Sequence, residues 1–191
     1  IDRGGGSTRA MTMTGVAHVV LSDFVLRGAG NVGLYLVTST DIFVHAVSGI
    51  GNLNNFALQN CVSARFARCA SVGGTWGVSF FSSSGSWDSG VLWSNANQFF
   101  STGSSLAVSN TVVVGGFAFL SDLPISMDSV VFWSTTWPAG FNHLHGIEST
   151  SNSYRQLTWA DPQFALPASN DFPLKSVQGR YNPFTSLWVT D

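Results

Sequence analysis

Surface chemistry needs acids, bases or metal ligands brought together, and this chain offers few of them. One set recurs. Ser22, His45, Ala67, Asp88, Ser109 and Asp128 each follow the first apolar residue of a four-residue block that repeats along the chain. If the repeats stack as strands, the backbones of Asp88 and Asp128 lie two layers apart, about 10 Å. That is near the upper end of the carboxyl separation used by inverting glycosidases. The same residues suit a plainer role, because Asp and Asn at strand ends satisfy local backbone donors in turns.

Other candidates are thinner. His143-x-His145 sets two imidazoles on one face of an extended segment, with Glu148 close by. A metal site needs further ligands, and a solvent-facing or satisfied pair is the simpler account. The acids Asp2, Asp23, Asp41, Asp88, Asp122, Asp128 and Glu148 are spread over the repeats without adjacent pairs, whereas calcium gathers several carboxylates in one place. Gly4-Gly5-Gly6 lacks the following Lys and the strand-then-helix context of a phosphate loop. Trp76, Trp87, Trp93, Trp133 and Trp137 suit stacking on sugar rings or a protein interface. Partial burial under the C-terminal residues explains them equally well. No residue is assigned a catalytic, cofactor-binding or metal-binding role, and no cofactor is expected.

The elements that must carry these residues follow from the repeat. Its blocks are Leu21-Ser22-Asp23-Phe24, Val44-His45-Ala46-Val47, Phe66-Ala67-Arg68-Cys69, Trp87-Asp88-Ser89-Gly90, Val108-Ser109-Asn110-Thr111 and Met127-Asp128-Ser129-Val130, and their first residues stand 19 to 23 positions apart. A second row lies in phase with them: Gly33-Leu34-Tyr35-Leu36, Asn55-Phe56-Ala57-Leu58, Gly77-Val78-Ser79-Phe80, Gln98-Phe99-Phe100 and Gly116-Phe117-Ala118-Phe119. Each alternates apolar and other residues like a short strand with one buried face, and no stretch carries a helical period. A fixed period of this length marks a stacked architecture. The fold class expected is all-β: a right-handed parallel β-helix of about six to seven coils.

Phe56, Phe66, Phe80, Phe99, Phe117 and Phe119 are expected on inward columns, as is Cys69 with Phe24 and Val47. A buried thiol is the simple reading of Cys69, and sequence leaves open whether Cys61 and Cys69 are bonded. Residues 1–148 are read as coils and 149–191 as an irregular capping segment of the same domain. That segment holds Pro162, Pro167, Pro173 and Pro183 with Trp159 and Trp188, and proline cannot donate to a strand ladder.

Composition agrees with one packed domain. Hydrophobic residues make up 45% of the 191 residues, and charged residues only 9%, against roughly 25% in ordinary soluble domains. The net charge is −2 without a basic stripe, so nucleic acid is not an expected partner. No apolar run has the length of a membrane span. A chain opening at Ile1 without a leader-like stretch is expected to be processed or an excerpt.

The opening IDRGGGSTRAMTMTG, followed by VVLSDFVLRGAG, resembles the start of parallel β-helix repeat proteins of the pectin-lyase-like superfamily. The closing DPQFALPASNDFPLKSVQGRYNPFTSLWVTD is similar to the exit block of large secreted bacterial members. The resemblance implies the fold and an extracellular or cell-surface location. It does not choose a function, because the superfamily includes lyases, hydrolases, adhesins and stalks. The polygalacturonase pattern of Asn-x-Asp, Asp-Asp, His-Gly and Arg-x-Lys is represented only by His145-Gly146, with no Asp-Asp or Arg-x-Lys. The acidic cluster of pectate lyases is not matched either.

The expected function is that of an extracellular structural or adhesive protein, a self-associating fibre subunit or a module of a larger surface protein. Its partners would be other copies or adjacent β-helix modules, since an unpaired first layer templates strand addition. The alternative is a polysaccharide-binding or polysaccharide-degrading domain using Asp88 and Asp128 or the tryptophans. A phage tail-spike fragment is a third possibility.

Overall fold

The computed structural model describes residues 1–121, 125–133, 135, 153–155, 158–159, 164–166, 171–174, 180–182 and 187–189. The chain forms two compact units, residues 1–160 and 161–191. The first is a solenoid of parallel strands with about five turns. That is fewer than the six to seven coils expected from sequence, and of the expected capping segment, residues 149–191, only the strands given below are described.

Each coil has three faces. The first runs through Ala17–Ser22 of β2 (Ala17–Val37), Thr40–His45 of β3 (Thr40–Ile50), β5 (Val62–Ala67), β8 (Ser84–Asp88) and the first halves of β11 (Ser105–Val114) and β13 (Ile125–Trp133). The second holds Phe24–Arg27 in the middle of β2 and the end of β3, then β6 (Ala70–Val72), β9 (Val91–Trp93) and the ends of β11 and β13. The third stacks β1 (Asp2–Thr14), the last part of β2, β4 (Asn54–Gln59), β7 (Trp76–Phe81), β10 (Asn97–Thr102) and β12 (Phe117–Ser121). β14 (Ser153–Arg155) and β15 (Thr158–Trp159) add a parallel layer on β13. The second unit contains two antiparallel pairs: β16 (Phe164–Leu166) with β17 (Asp171–Leu174), and β18 (Arg180–Asn182) with β19 (Leu187–Val189).

The corners explain why short strands suffice. Asp23, Ala46, Arg68, Ser89, Asn110 and Ser129 all have positive φ and form a column between the first and second faces. Gly28, Gly51, Gly73, Ser94 and Gly115 do so between the second and third, and Gly15, Thr38, Asn60, Ser82 and Gly103 between the third and first. The left-handed conformation costs a non-glycine residue about 1–2 kcal/mol. The stack compensates, because the corner amides continue the ladder. Asn60 N–H donates to Phe81 O at 3.0 Å, Ser82 N–H to Thr102 O at 2.9 Å and Arg68 N–H to Asp88 O at 3.0 Å.

The core follows the expected columns. Leu21, Val44, Phe66, Trp87, Val108 and Met127 align in consecutive register, and from Val44 onward they are 0–1% exposed. Phe66 and Trp87 stack at 5.6 Å, and Phe56 meets both edge-on. Phe56, Phe66, Phe80 and Phe99 are buried as expected. Phe117 is not: it is 42% exposed, because its register partners Asn97, Trp76 and Asn54 belong to an outward column. Phe119 pairs with Phe99, and its side chain lies outside the described ones.

Candidate functional site

The chemistry-bearing column forms as the repeat predicts. Ser22, His45, Ala67, Asp88, Ser109 and Asp128 pair in sequence across the first face, and Asp128 pairs onward with Arg155. Ser109 therefore separates the two aspartates. The Asp88 carboxylate accepts hydrogen bonds from Ser109 Oγ at 2.5 Å, Asn110 Nδ2 at 2.9 Å and Ser89 Oγ at 2.8 Å. The bond from Ser109 holds its pKa below the ordinary aspartate value, opposed by partial burial and helped by Asn110, Ser89 and the Arg65 charge. A general acid must instead keep its proton near neutral pH, which needs a raised pKa. Asp88 thus has the environment of a turn cap joining two coils. Asp128 is exposed and accepts from its neighbour Ser129 at 3.1 Å.

The tryptophans do not form one row. Trp87 is fully buried, and its indole Nε1 has no hydrogen-bond partner. Gly90, next to it across the corner, leaves room for the ring: a Cβ there would stand 2.8 Å from both Trp87 Cε2 and Cys69 O. Trp76 lies on the third face against Phe100, with ring centroids 4.9 Å apart. Trp93 and Trp133 share a column on the second face through Val114, with Trp93 half-buried and Trp133 43% exposed. Trp137, His143, His145 and Glu148 lie outside the described residues.

The second face is largely apolar on its outer side. One outward column is Ser48, Ala70, Val91, Val112 and Val131, and the other is Ile50, Val72, Trp93, Val114 and Trp133. Between them Ser71, Leu92, Val113 and Phe132 point inward and are fully buried. The Ile50 column continues to the exposed Arg27 of β2, and Val72 and Val114 within it are buried.

Sequence reasoning missed a concavity on the third face. Arg9, Asn31, Tyr35, Asn54, Gln59 and Phe81 help line a space of about 310 Å³. The Arg9 guanidinium lies 4.2 Å over the Tyr35 ring, and the Tyr35 hydroxyl donates to Gln59 Oε1. The depression arises because small Ala57 and Ser79 stand in the outward column between Tyr35 and Phe100. Those two small residues were its sequence signal.

Also missed is a polar spine inside the coil. Asn52 Nδ2 donates to Leu26 O and to Asn55 Oδ1; Asn55 Nδ2 donates to Ser71 Oγ, Val72 O and Asn95 Oδ1; Asn95 Nδ2 donates to Ser71 O and Gln98 Oε1; and Gln98 Nε2 closes on Val114 O and Gly115 O. Asn52, Asn55, Asn95 and Gln98 are all buried. Their paired spacing, Asn52-x-x-Asn55 and two coils later Asn95-x-x-Gln98, is the trace they leave in sequence.

The cysteines belong to the same internal scaffolding. Both are buried free thiols. Cys61 occupies a serine column: Ser39, Ser83 and Ser104 each donate to the carbonyl two residues back at 2.8 Å, and Cys61 Sγ contacts Gln59 O at 3.4 Å in the same way. Burial pushes the Cys69 pKa up to about 11, opposed by backbone hydrogen bonding at Val47 and Ala67.

Among the described residues no three His, Cys, Asp or Glu side chains are grouped to hold a metal ion. Compared with known proteins, the chain matches no family model and no curated protein sequence.

Proposed function

We propose that this chain is a non-catalytic extracellular module, structural or adhesive, that presents fixed side-chain columns along a rigid coil. The observation that carries this reading is the commitment of Asp88. The best-placed acid of the repeat already accepts three hydrogen bonds and has a lowered pKa. The buried amides and the Cys69 thiol are spent in the same way, on joining one coil to the next. What remains outward is a largely apolar face with Arg27 at one end and a concavity lined by Arg9, aromatics and amides, which suit contact better than turnover. Stacked repeats create extended surfaces of this kind. The secreted, surface-associated character belongs to this proposal and is supported by the likeness of the terminal motifs to those of secreted β-helix proteins.

Two measurements test it. Incubation with neutral and acidic glycans should release no reducing ends and no unsaturated products. Fractionation of the producing cells should place the chain in the medium or on the surface. Turnover that disappears in Asp88→Asn, or a cytoplasmic location, would refute the reading.

A further inference from the structure

We infer that the outer side of the third face pairs with the same face of a second copy, the two solenoids running antiparallel about a two-fold axis between β4 and β7. The inference gives the structural-module reading a partner and rests on that reading.

Three observations carry it. The first is the grading of the face from end to end. Three outward columns cross it, from Arg9 to Phe117, from Thr12 to Phe100 and from Thr14 to Thr102. The early layers carry polar groups and the late ones carry rings, with Phe81 38% and Phe117 42% exposed. A two-fold contact makes every residue pair twice, once in each direction. With the axis midway along the stack, Arg9 lies opposite Phe117 of the second copy, Tyr35 opposite its Phe100 and Gln59 opposite its Phe81.

The second observation is shape. Small, buried Ala57 and Ser79 flank the axis, and the concavity of about 310 Å³ lies beside Tyr35 and Asn54. Trp76 and Phe100 make one ridge, their ring centroids 4.9 Å apart. The axis sets Trp76 of one copy opposite Asn54 of the other, so each ridge lies over the other copy's concavity. The ring contacts already made within each chain stay in place.

The third is charge and area. Arg9 is the only charged residue in the three columns. It lies 4.2 Å over the Tyr35 ring, and a further ring from Phe117 of the second copy suits a guanidinium. Antiparallel solenoids put the two Arg9 residues at opposite ends of the contact, five layer spacings or about 24 Å apart, well beyond the screening length at physiological salt. Parallel solenoids would put both at the same end. The face is six residues by five spacings, roughly 20 Å by 24 Å. That is less than the about 800 Å² per partner of a stable dimer, so the contact is weak and concentration-dependent.

The test is sedimentation velocity of the full chain from micromolar to submillimolar concentration. The expected result is a reversible monomer–dimer equilibrium. Phe117→Arg sets two guanidiniums opposite each other and should raise the dissociation constant about tenfold or more. Phe117→Glu meets Arg9 of the second copy with the opposite charge and should stay within about threefold of the parent. Adding Arg9→Glu to Phe117→Arg should bring association back. Val20→Arg, on the first face at a residue 66% exposed, should change nothing. Because Arg9 also makes contacts within its own chain, circular dichroism accompanies each variant and Phe81→Arg is read in parallel; it too should weaken association. The inference is overturned by a monomer at every concentration, by equal responses to Phe117→Arg and Phe117→Glu, or by a dimer that Val20→Arg disperses. A monomer that holds a glycan on this face, with binding lost in Phe81→Arg, also overturns it. A monomer leaves the non-catalytic module reading standing, whereas glycan cleavage removes that reading whether or not the chain pairs.

Discussion

Gly90 and Trp87 form a size-compensated pair whose coupling can be predicted from geometry. A methyl group at Gly90 would collide with the indole and stand 2.8 Å from Cys69 O. Trp87 is fully buried among Phe56, Phe66 and Phe99, so the ring has little room to retreat. Overpacking of this kind costs about 1–3 kcal/mol, and Gly90→Ala should lie near the top of that range. With a urea m-value of about 2 kcal/mol/M, a loss of 2 kcal/mol moves the unfolding midpoint down by about 1 M. Trp87→Phe removes the atoms the methyl group would strike. It also removes the unpartnered indole N–H, whose burial without a partner costs about 1–3 kcal/mol. That gain offsets much of the packing lost with the smaller ring. Gly90→Ala in the Trp87→Phe background still meets Cys69 O, so it should keep part of its cost and lose the share due to the indole, a coupling of about 1 kcal/mol. Urea unfolding of the four proteins, followed by far-ultraviolet circular dichroism, measures it. An equal cost of Gly90→Ala in both backgrounds would show that the Trp87 indole does not occupy this corner.

Three further outcomes follow from the internal scaffolding. Asp88 has a lowered native pKa, so its contribution is present above the unfolded aspartate value and is lost as pH falls through the native one. Asp88→Ala should therefore be less stable than the parent at pH 7, with the difference disappearing in strong acid; a difference that grows on acidification would contradict the capping role. Neither cysteine should react with a thiol reagent in the native protein at pH 8, since Cys69 has its pKa near 11 and both thiols are buried; two thiols should react after unfolding, and rapid native labelling would refute their placement. Asn55→Ala leaves the Asn52 amide, Asn95 Oδ1 and Ser71 with missing partners in a buried network; a loss of about 3 kcal/mol is expected, and a neutral change in thermal or urea unfolding would mean the spine is not formed.

What the sequence revealed and what it hid have physical causes. Columns such as Val44, Phe66, Trp87 and Val108 were legible because a continuous core needs an apolar residue at the same place in every coil. The outward residue beside each was legible for the same reason, which is why Asp88 and Asp128 fall where the repeat put them. The corners were harder to read: Ala46, Arg68, Ser89 and Asn110 share one backbone conformation but no chemical type, since stacked corner hydrogen bonds rather than residue preference hold it. Asn55 and Gln98 read as ordinary strand polars because their buried partners come from neighbouring coils. Phe117 misled through chemical type, as register rather than hydrophobicity decides which way it faces. The aspartate pair was legible as a position but not as chemistry, because Ser109 and Asn110 become ligands of the Asp88 carboxylate only once the coils stack.

The most direct test of the account is a set of amide and α-proton nuclear Overhauser contacts across the first face. Residues such as Val44, Phe66, Trp87 and Val108 should give backbone contacts in the parallel pattern, each to the residue one coil away and in the order of the register. Cross-strand α-proton pairs of the antiparallel type, or contacts displaced by one residue, would turn these columns inside out and contradict every placement derived from them.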